Sequence, residues 1–127
     1  MPPDTSSEGT LKIMVENVKK SQGKIMLAVY AEEENFLSEV IYRGAHQEVT
    51  QSGEVKVEIT DLPYGTYAIS LYHDENNNEE LDTNFMKIPK EPYGFSNNAR
   101  GIFGPPKYKD AQFTFRNTEQ EIRIEIK

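Results

Sequence analysis

The sequence predicts an all-β fold, namely an antiparallel β-sandwich of about seven strands with one long ordered loop. Two observations support this class: short runs with alternating apolar and polar residues recur along the chain, and no segment has a sustained helical period. Short strands joined by turns, in a chain of 127 residues, are typical of a sandwich of about the immunoglobulin size.

Chain length and composition limit the domain organisation and the partners. At 127 residues the chain has room for one domain, which we place at residues 10–127. Residues 1–9 are polar and are predicted to be a disordered leader or the stub of a trimmed export signal. The formal net charge of −7 repels a phosphate backbone, so nucleic acid is not an expected partner. Without cysteine there are no disulfides or thiolate metal sites, and no apolar run suits a transmembrane segment.

The individual strands are predicted from apolar residues at every second position. Such alternation occurs at residues 11–15, 25–29, 55–59, 67–71, 113–115 and 122–126. Pro63 and Gly65, in the segment DLPYGTY, supply the backbone angles of a tight connection, so the strands on either side should be antiparallel. Residues 32–52 stay unassigned, because the charged turn EEEN is followed by apolar residues that suit either a strand or one helical turn.

The segment HDENNNEELDTNF, residues 73–85, has the spacing of a calcium-binding loop. Ca²⁺ takes roughly six to eight oxygen ligands, and side chains at every second residue of a tight loop point inward. Carboxylates, amide oxygens and one main-chain carbonyl would supply these ligands. The predicted metal ligands are Asp74, Asn76, Asn78, Glu80 through its carbonyl, and Asp82.

Two positions of this loop depart from the EF-hand pattern. Glu79 stands at the sixth position, where glycine is usual, and Phe85 stands where a bidentate glutamate would close the loop. We therefore expect a strand-flanked loop, in which Asn77 can take a left-handed conformation at little cost and Glu79 cannot so easily. The alternative, which stays open, is a polar turn without metal, because Asp and Asn bond to nearby backbone in turns. The acidic charge would then be balanced by basic residues of the following loop: Lys87, Lys90, Arg100, Lys107 and Lys109.

Residues 83–110 form a long segment without periodicity, rich in proline, glycine and aromatic residues. It has too many apolar side chains for a solvated linker, so we predict that it is ordered and folds back over the sandwich. Aromatic platforms beside hydrogen-bonding groups suit a partner protein, a peptide or a carbohydrate. The predicted ligand-binding residues are Tyr93, Phe95, Ser96, Asn97, Asn98, Arg100 and Phe103. Alternatively, the polar members of this set satisfy the carbonyl groups of the loop itself.

The catalytic alternative is a small hydrolase that uses His73, Asp74 and Arg100. A histidine at the end of a strand is more often a core residue bonded to a neighbour than a general base. Acids crowded into one loop also do not suit the separation of carboxylates that glycoside hydrolysis demands. We therefore expect a non-catalytic protein and assign no catalytic residue.

The run from Asp61 to Phe115, and above all its segment YGFSNNARGIFGPP, closely resembles a bacterial family, domain of unknown function 2141. The resemblance implies an exported protein, periplasmic or extracellular, with an immunoglobulin-like or transthyretin-like (prealbumin-like) sandwich and no established activity. The sequence departs from the family at four positions where the family tends to have glycine: Asn77, Glu79, Lys87 and Pro92. The second departure weakens the calcium interpretation for this chain.

These observations lead to one hypothesis and one rival. The hypothesis is a non-catalytic exported β-sandwich in which the loop at 74–82, with calcium as its cofactor, anchors a loop whose residues 93–104 contact a partner. The rival is a purely structural surface or envelope module that binds no ligand.

Overall fold

The computed structural model describes residues 8–38, 40–77, 91–101 and 105–127. These residues form eight β-strands and one short α-helix. The strands are β1 (Glu8–Val18), β2 (Lys24–Tyr30), β3 (Arg43–Glu48), β4 (Gly53–Pro63), β5 (Gly65–Asp74), β6 (Tyr93–Phe95), β7 (Phe113–Phe115) and β8 (Glu119–Glu125), and the helix is α1 (Tyr108–Ala111). Two single-turn 3-10 helices span Glu33–Asn35 and Ser96–Asn98.

The strands form two sheets, which confirms the predicted all-β sandwich. The smaller sheet has the order β4-β1-β8, and the larger has the order β3-β2-β5-β6, with β7 paired to the start of β5. All these pairs are antiparallel except β1 with β8, which run parallel from Thr10 beside Glu119 to Glu16 beside Glu125. A period of two indicates which residues share a face but not the direction of the neighbouring strand, so this parallel pair could not be predicted from the alternation.

The main core lies between the two sheets and is built from alternate strand residues. Leu11, Ile13 and Val15 of β1 are fully buried, and so are Ile25 and Val29 of β2. Their neighbours at the intervening positions are more exposed, as expected where one face of a strand meets the core. The alternation seen in the sequence therefore marks the inward faces correctly.

The connection between β4 and β5 carries the chain from one sheet to the other. Both predicted strands are present, but β4 pairs with β1 and β5 pairs with β2, so the two strands do not pair with each other. At the corner, the Tyr67 hydroxyl donates a hydrogen bond to the Pro63 carbonyl at 2.6 Å. A tyrosine bonded to backbone a few residues upstream is the tyrosine corner known from immunoglobulin-type sandwiches.

Direct bonds join the two sheets along both sides. At one side, the backbone groups of Tyr93 and Lys127 exchange two hydrogen bonds of 3.1 Å, just beyond the end of β8. At the other side, the Arg43 guanidinium of β3 donates to the Thr60 carbonyl of β4 at 2.7 Å. The sandwich is thereby tied together at its edges as well as through its core.

A second apolar cluster covers the outer face of the larger sheet. The Phe36 ring packs edge-on against the rings of Tyr30, Phe95 and Tyr108, with centroid distances of 5.5 to 6.4 Å. Tyr108 lies in α1 and Phe95 in β6, both from the long segment between β5 and β7. The prediction that this segment is ordered and packs on the sandwich is confirmed for its described parts, 91–101 and 105–110.

The structure also assigns elements within residues 32–52 and at the end of the predicted leader. Residues 32–52 contain the 3-10 helix Glu33–Asn35 and the edge strand β3, whose residues are mostly exposed. β1 begins at Glu8, so the last two residues of the predicted leader lie in a strand.

No helix in the described parts of the chain has the length and apolar character needed to cross a membrane.

Candidate functional site

The base of the acidic loop lies at the end of β5, where His73 and Asp74 close the strand. Both residues are fully buried. β5 is flanked by β2 and β6, so its last residues stay inside the larger sheet. A carboxylate buried in such a place needs hydrogen bonds or a positive charge to offset its lost hydration. The start of the loop is therefore a fixed point of the structure.

The turn between β1 and β2 braces this fixed point. The Gln22 side-chain amide donates to the Glu75 carbonyl at 3.2 Å, and the Lys20 ammonium lies 3.7 Å from the Glu75 carboxylate. Gly23 has a positive φ of 69°, and a Cβ at this position would overlap the carbonyl of Asp74. Glycine is required here both for its backbone conformation and for the close approach of the two segments.

The His73 imidazole is used inside the protein. Its Nε2 lies 2.6 Å from the Gln22 carbonyl, which can only accept, so Nε2 carries a proton. Its Nδ1 lies 3.8 Å from a Glu75 carboxylate oxygen and has no hydrogen-bond partner among the described residues. A side chain with no exposed surface, bonded in this way, holds the Gln22 turn against the end of β5.

The chain returns to the same place just before β6. The Glu75 N–H donates to the Glu91 carboxylate at 2.8 Å, and the His73 N–H donates to the Pro92 carbonyl at 2.9 Å. Glu91 is itself 5% exposed. The role of Glu91 was not predicted, because an acid between lysine and proline in an aperiodic segment has no distinguishing pattern. These bonds couple the acidic turn to the segment that begins at β6.

The predicted metal ligands fall partly within the described structure. Asp74 is buried, whereas Asn76 is exposed at the beginning of the loop. Asn77 has φ of 57°, a left-handed conformation that asparagine adopts at little cost, and its N–H lies 3.4 Å from the Asp74 carbonyl. The other predicted ligands, Asn78, Glu80 and Asp82, lie outside the described residues, as do Lys87 and Lys90 among the basic residues. In the ranges that are described, no three His, Asp or Glu side chains group as metal ligands.

The ligand-binding set is brought together in one continuous segment, apart from Phe103, which lies outside the described residues. Phe95 and Ser96 are buried. The Ser96 hydroxyl accepts from the Ile69 N–H at 2.9 Å and donates to the Ala111 carbonyl. Ser96 thus links β5 to the end of α1 and does not face solvent.

The two asparagines are exposed but are bonded to backbone groups. The Asn97 amide donates to the carbonyls of Asp110 and Gln112 at 3.2 and 2.8 Å. The Asn98 side-chain oxygen accepts from the Glu125 N–H at 2.8 Å. Both residues have positive φ, 61° and 51°, which asparagine tolerates better than most residues. These bonds correspond to the alternative in which the polar side chains satisfy backbone groups.

Tyr93 and Arg100 contact each other at the surface of the segment. The Arg100 guanidinium lies over the Tyr93 ring, 5.3 Å from its centroid, within the range of a cation–π contact. Its Nη2 is also 3.4 Å from the Tyr93 carbonyl and 3.3 Å from the Glu125 carbonyl. Arg100 is exposed and Tyr93 is half-buried, so an aromatic face and a cation lie together at the surface.

The comparisons with known proteins give one match. The model of a family described as "Uncharacterized protein conserved in bacteria (DUF2141)" matches residues 13–123. No curated protein and no solved structure matches the chain.

Proposed function

The chain belongs to this bacterial family of uncharacterized proteins, and from that premise we propose that it is a non-catalytic exported binding module. In this proposal the acidic loop at 74–82 holds calcium, and the loop it anchors contacts a partner through Tyr93 and Arg100. The partner class is a protein, a peptide or a carbohydrate, for which an aromatic face with a neighbouring cation is a suitable surface.

The observation that supports the non-catalytic role is the burial of His73 and its hydrogen bond. A general base has to reach the proton that it removes, directly or through one water. His73 has no exposed surface, and its Nε2 is bonded to the Gln22 carbonyl at 2.6 Å. Its place supports a bracing role at the root of the loop, and it argues against the hydrolase that would need this histidine.

The calcium part of the proposal rests on the placement of Asp74. Its buried carboxylate begins the DxNxNxxxD pattern, and Asn77, at the fourth position, has a left-handed backbone conformation. The turn at Lys20–Gly23 and the Glu91 carboxylate fix the backbone on either side. The backbone at the start of the loop is therefore already held in place, and calcium would bind there without having to order it.

The first experiment compares thermal unfolding with calcium and with a chelator. At calcium a hundredfold above its dissociation constant, binding to the folded state adds about 2.7 kcal/mol to the free energy of unfolding, so the melting temperature should rise. Asp74→Asn and Asn76→Ala should each remove or weaken this rise. The Asn76 variant is the safer one, because Asn76 is exposed and its replacement leaves the buried strand end intact.

Asp110→Asn is the matched control for charge. Asp110 is an exposed aspartate of α1, remote from the loop in sequence, and its loss should leave the calcium response unchanged. A melting curve of the parent protein that is identical with calcium and chelator would refute the metal part of the proposal.

The rival structural module is favoured by one specific observation, the bonding of Asn97 and Asn98 to backbone groups. In that case the acidic loop is balanced by basic residues, and high salt should weaken it whether or not calcium is present. A salt-sensitive, calcium-independent melting temperature would support the structural module over the binding module.

The exported location is proposed from the family resemblance. We expect the protein in the periplasmic or extracellular fraction when cells of its native bacterium are separated and probed by immunoblotting. Recovery with a cytoplasmic marker enzyme would contradict this location.

A further inference from the structure

A short loop between β2 and β3 exposes several apolar side chains. Leu37, Val40, Ile41 and Tyr42, which we call the apolar patch, are 36, 62, 44 and 50% exposed. They are the exposed large apolar side chains of the described structure, and all lie within six residues. Scattered exposed apolar residues are ordinary, but a local group of them indicates an interaction site.

The patch is not a frayed end, because internal bonds hold the loop that carries it. Phe36 is anchored in the aromatic cluster, 5.5 Å from the Tyr30 ring. The Tyr30 hydroxyl donates to the Ser38 carbonyl at 3.2 Å, and the Ser38 hydroxyl accepts from the Val40 N–H at 3.0 Å. At the other end, the Tyr42 N–H donates to the Val29 carbonyl at 2.8 Å. The described residues on both sides of position 39 are thus bonded to β2, which lowers the entropy cost of binding.

Leu37 adds a second, independent sign of function. Its φ is 65°, in the left-handed region that leucine rarely adopts. Such strain persists where the surroundings fix it, and it concentrates at functional segments. Here it coincides with an exposed side chain next to the anchored Phe36.

The charge around the patch specifies the chemistry of its partner. Glu32, Glu33 and Glu34 are all exposed and lie two residues before the patch begins. Arg43 follows the patch and keeps its positive charge, but its guanidinium is held at the other sheet by the carbonyls of Thr60 and Asp61. A groove with Glu32 in its lining joins this acidic side chain to three residues of the patch. It is lined by Ala31, Glu32, Asn35, Val40, Ile41 and Tyr42.

We propose that the apolar patch and its glutamate rim form a docking surface for a cationic amphipathic segment of another protein. Apolar side chains of that segment cover Val40, Ile41 and Tyr42, and its basic side chains meet Glu32, Glu33 and Glu34. A second copy of the chain is a poorer occupant, since a two-fold interface would bring two acidic rims together. This surface is separate from Tyr93 and Arg100 and does not depend on the calcium proposal.

The test uses the folded protein and a synthetic peptide of alternating leucine and lysine at physiological ionic strength. Binding is followed by amide chemical shifts in heteronuclear NMR spectra. We expect shifts confined to residues 31–42 and their strand neighbours, and no binding of matched leucine–glutamate or serine–lysine peptides. The first control removes the charge attraction, and the second removes the apolar contact.

Variants separate this surface from general attraction to an acidic protein. The double change Val40→Ser with Ile41→Ser should weaken binding at least about tenfold, because two exposed aliphatic side chains lose their contact area. Glu32→Gln with Glu34→Gln should weaken it less and make it less sensitive to salt. Glu119→Gln with Glu121→Gln, the same charge change on the exposed face of β8, should have no effect.

Three results would overturn the proposal. The first is equal binding by the parent and the Val40/Ile41 variant, and the second is a set of shifts spread over all acidic faces. The third is dimerisation of the parent protein in sedimentation that the same variant abolishes, which would assign the patch to a second copy. All the changed residues are exposed, so circular dichroism spectra and melting temperatures should match those of the parent.

Discussion

At the scale of single residues, the Tyr67 hydroxyl stabilises the corner at which the chain passes from one sheet to the other. Tyr67 is 4% exposed, and its bond to the Pro63 carbonyl at 2.6 Å spans the corner between the sheets. Tyr67→Phe keeps the ring and removes the bond, so the free energy of unfolding should fall by about 1–2 kcal/mol. Urea unfolding at neutral pH measures this loss.

Tyr64→Phe is the matched control for this change. Tyr64 lies at the same corner, packs edge-on against Phe115 with ring centroids 5.6 Å apart, and its hydroxyl makes no hydrogen bond within the described part of the chain. Its replacement should alter stability by less than about 0.5 kcal/mol. Equal losses in the two variants would show that the corner is held by ring packing and not by the hydroxyl.

The candidate site shows what single residues can and cannot reveal in the sequence. Asp74 and Asn76 were selected because their spacing and residue types match a known loop chemistry. The roles of Gln22, Gly23 and Glu91 were not predicted, because they contact Asp74 and Glu75 only after the chain has folded. Contacts between residues far apart in sequence leave no periodic pattern.

At the scale of elements, the strands of the core were predictable and the edge strand β3 was not. Core strands alternate because one face is buried, as Leu11, Ile13 and Val15 show. β3 is a sheet edge with mostly exposed residues, so no apolar alternation marks it. β6 is short, with three residues, and it is defined by its pairing to β5.

The crossing of β6 and β8 depends on Gly94. A Cβ at Gly94 would lie 2.8 Å from the Glu125 carbonyl and 2.8 Å from Ile124 Cγ2. Because the carbonyl belongs to a paired strand and cannot move freely, Gly94→Ala should lower the free energy of unfolding by about 1–3 kcal/mol. It should also increase hydrogen exchange at the Tyr93 and Lys127 amides, which bond across this crossing.

Gly65→Ala serves as the control, since a Cβ there meets the Tyr67 ring at an ordinary contact distance of 3.5 Å. We expect little change in stability and no local change in exchange near β6. If Gly94→Ala were as stable as the parent, the close approach of the two strands would not be a constraint on the fold.

At the scale of the whole molecule, three buried phenols predict how the fold responds to alkaline pH. The pKa of Tyr67, in the main core, is raised above 10.0 by burial first and then by Tyr42, with a partial opposing effect of Arg43. Burial also raises the pKa of Tyr30 and of Tyr108 in the second cluster, and for Tyr108 the charges of Glu33 and Glu32 add to it. Both clusters therefore favour neutral phenols.

The sign of the pH effect follows from these directions. Because each folded-state pKa lies above the unfolded value of 10.0, the unfolded chain releases these protons first as the pH rises. The stabilisation is complete below about pH 10 and is lost progressively above it. Urea unfolding between about pH 8 and pH 11 should show this fall, and Tyr67→Phe should reduce its slope by up to about 1.4 kcal/mol per pH unit. Lysines titrate equally in both proteins, so parallel curves for the parent and the variant would contradict the assignment of Tyr67 as a buried neutral phenol.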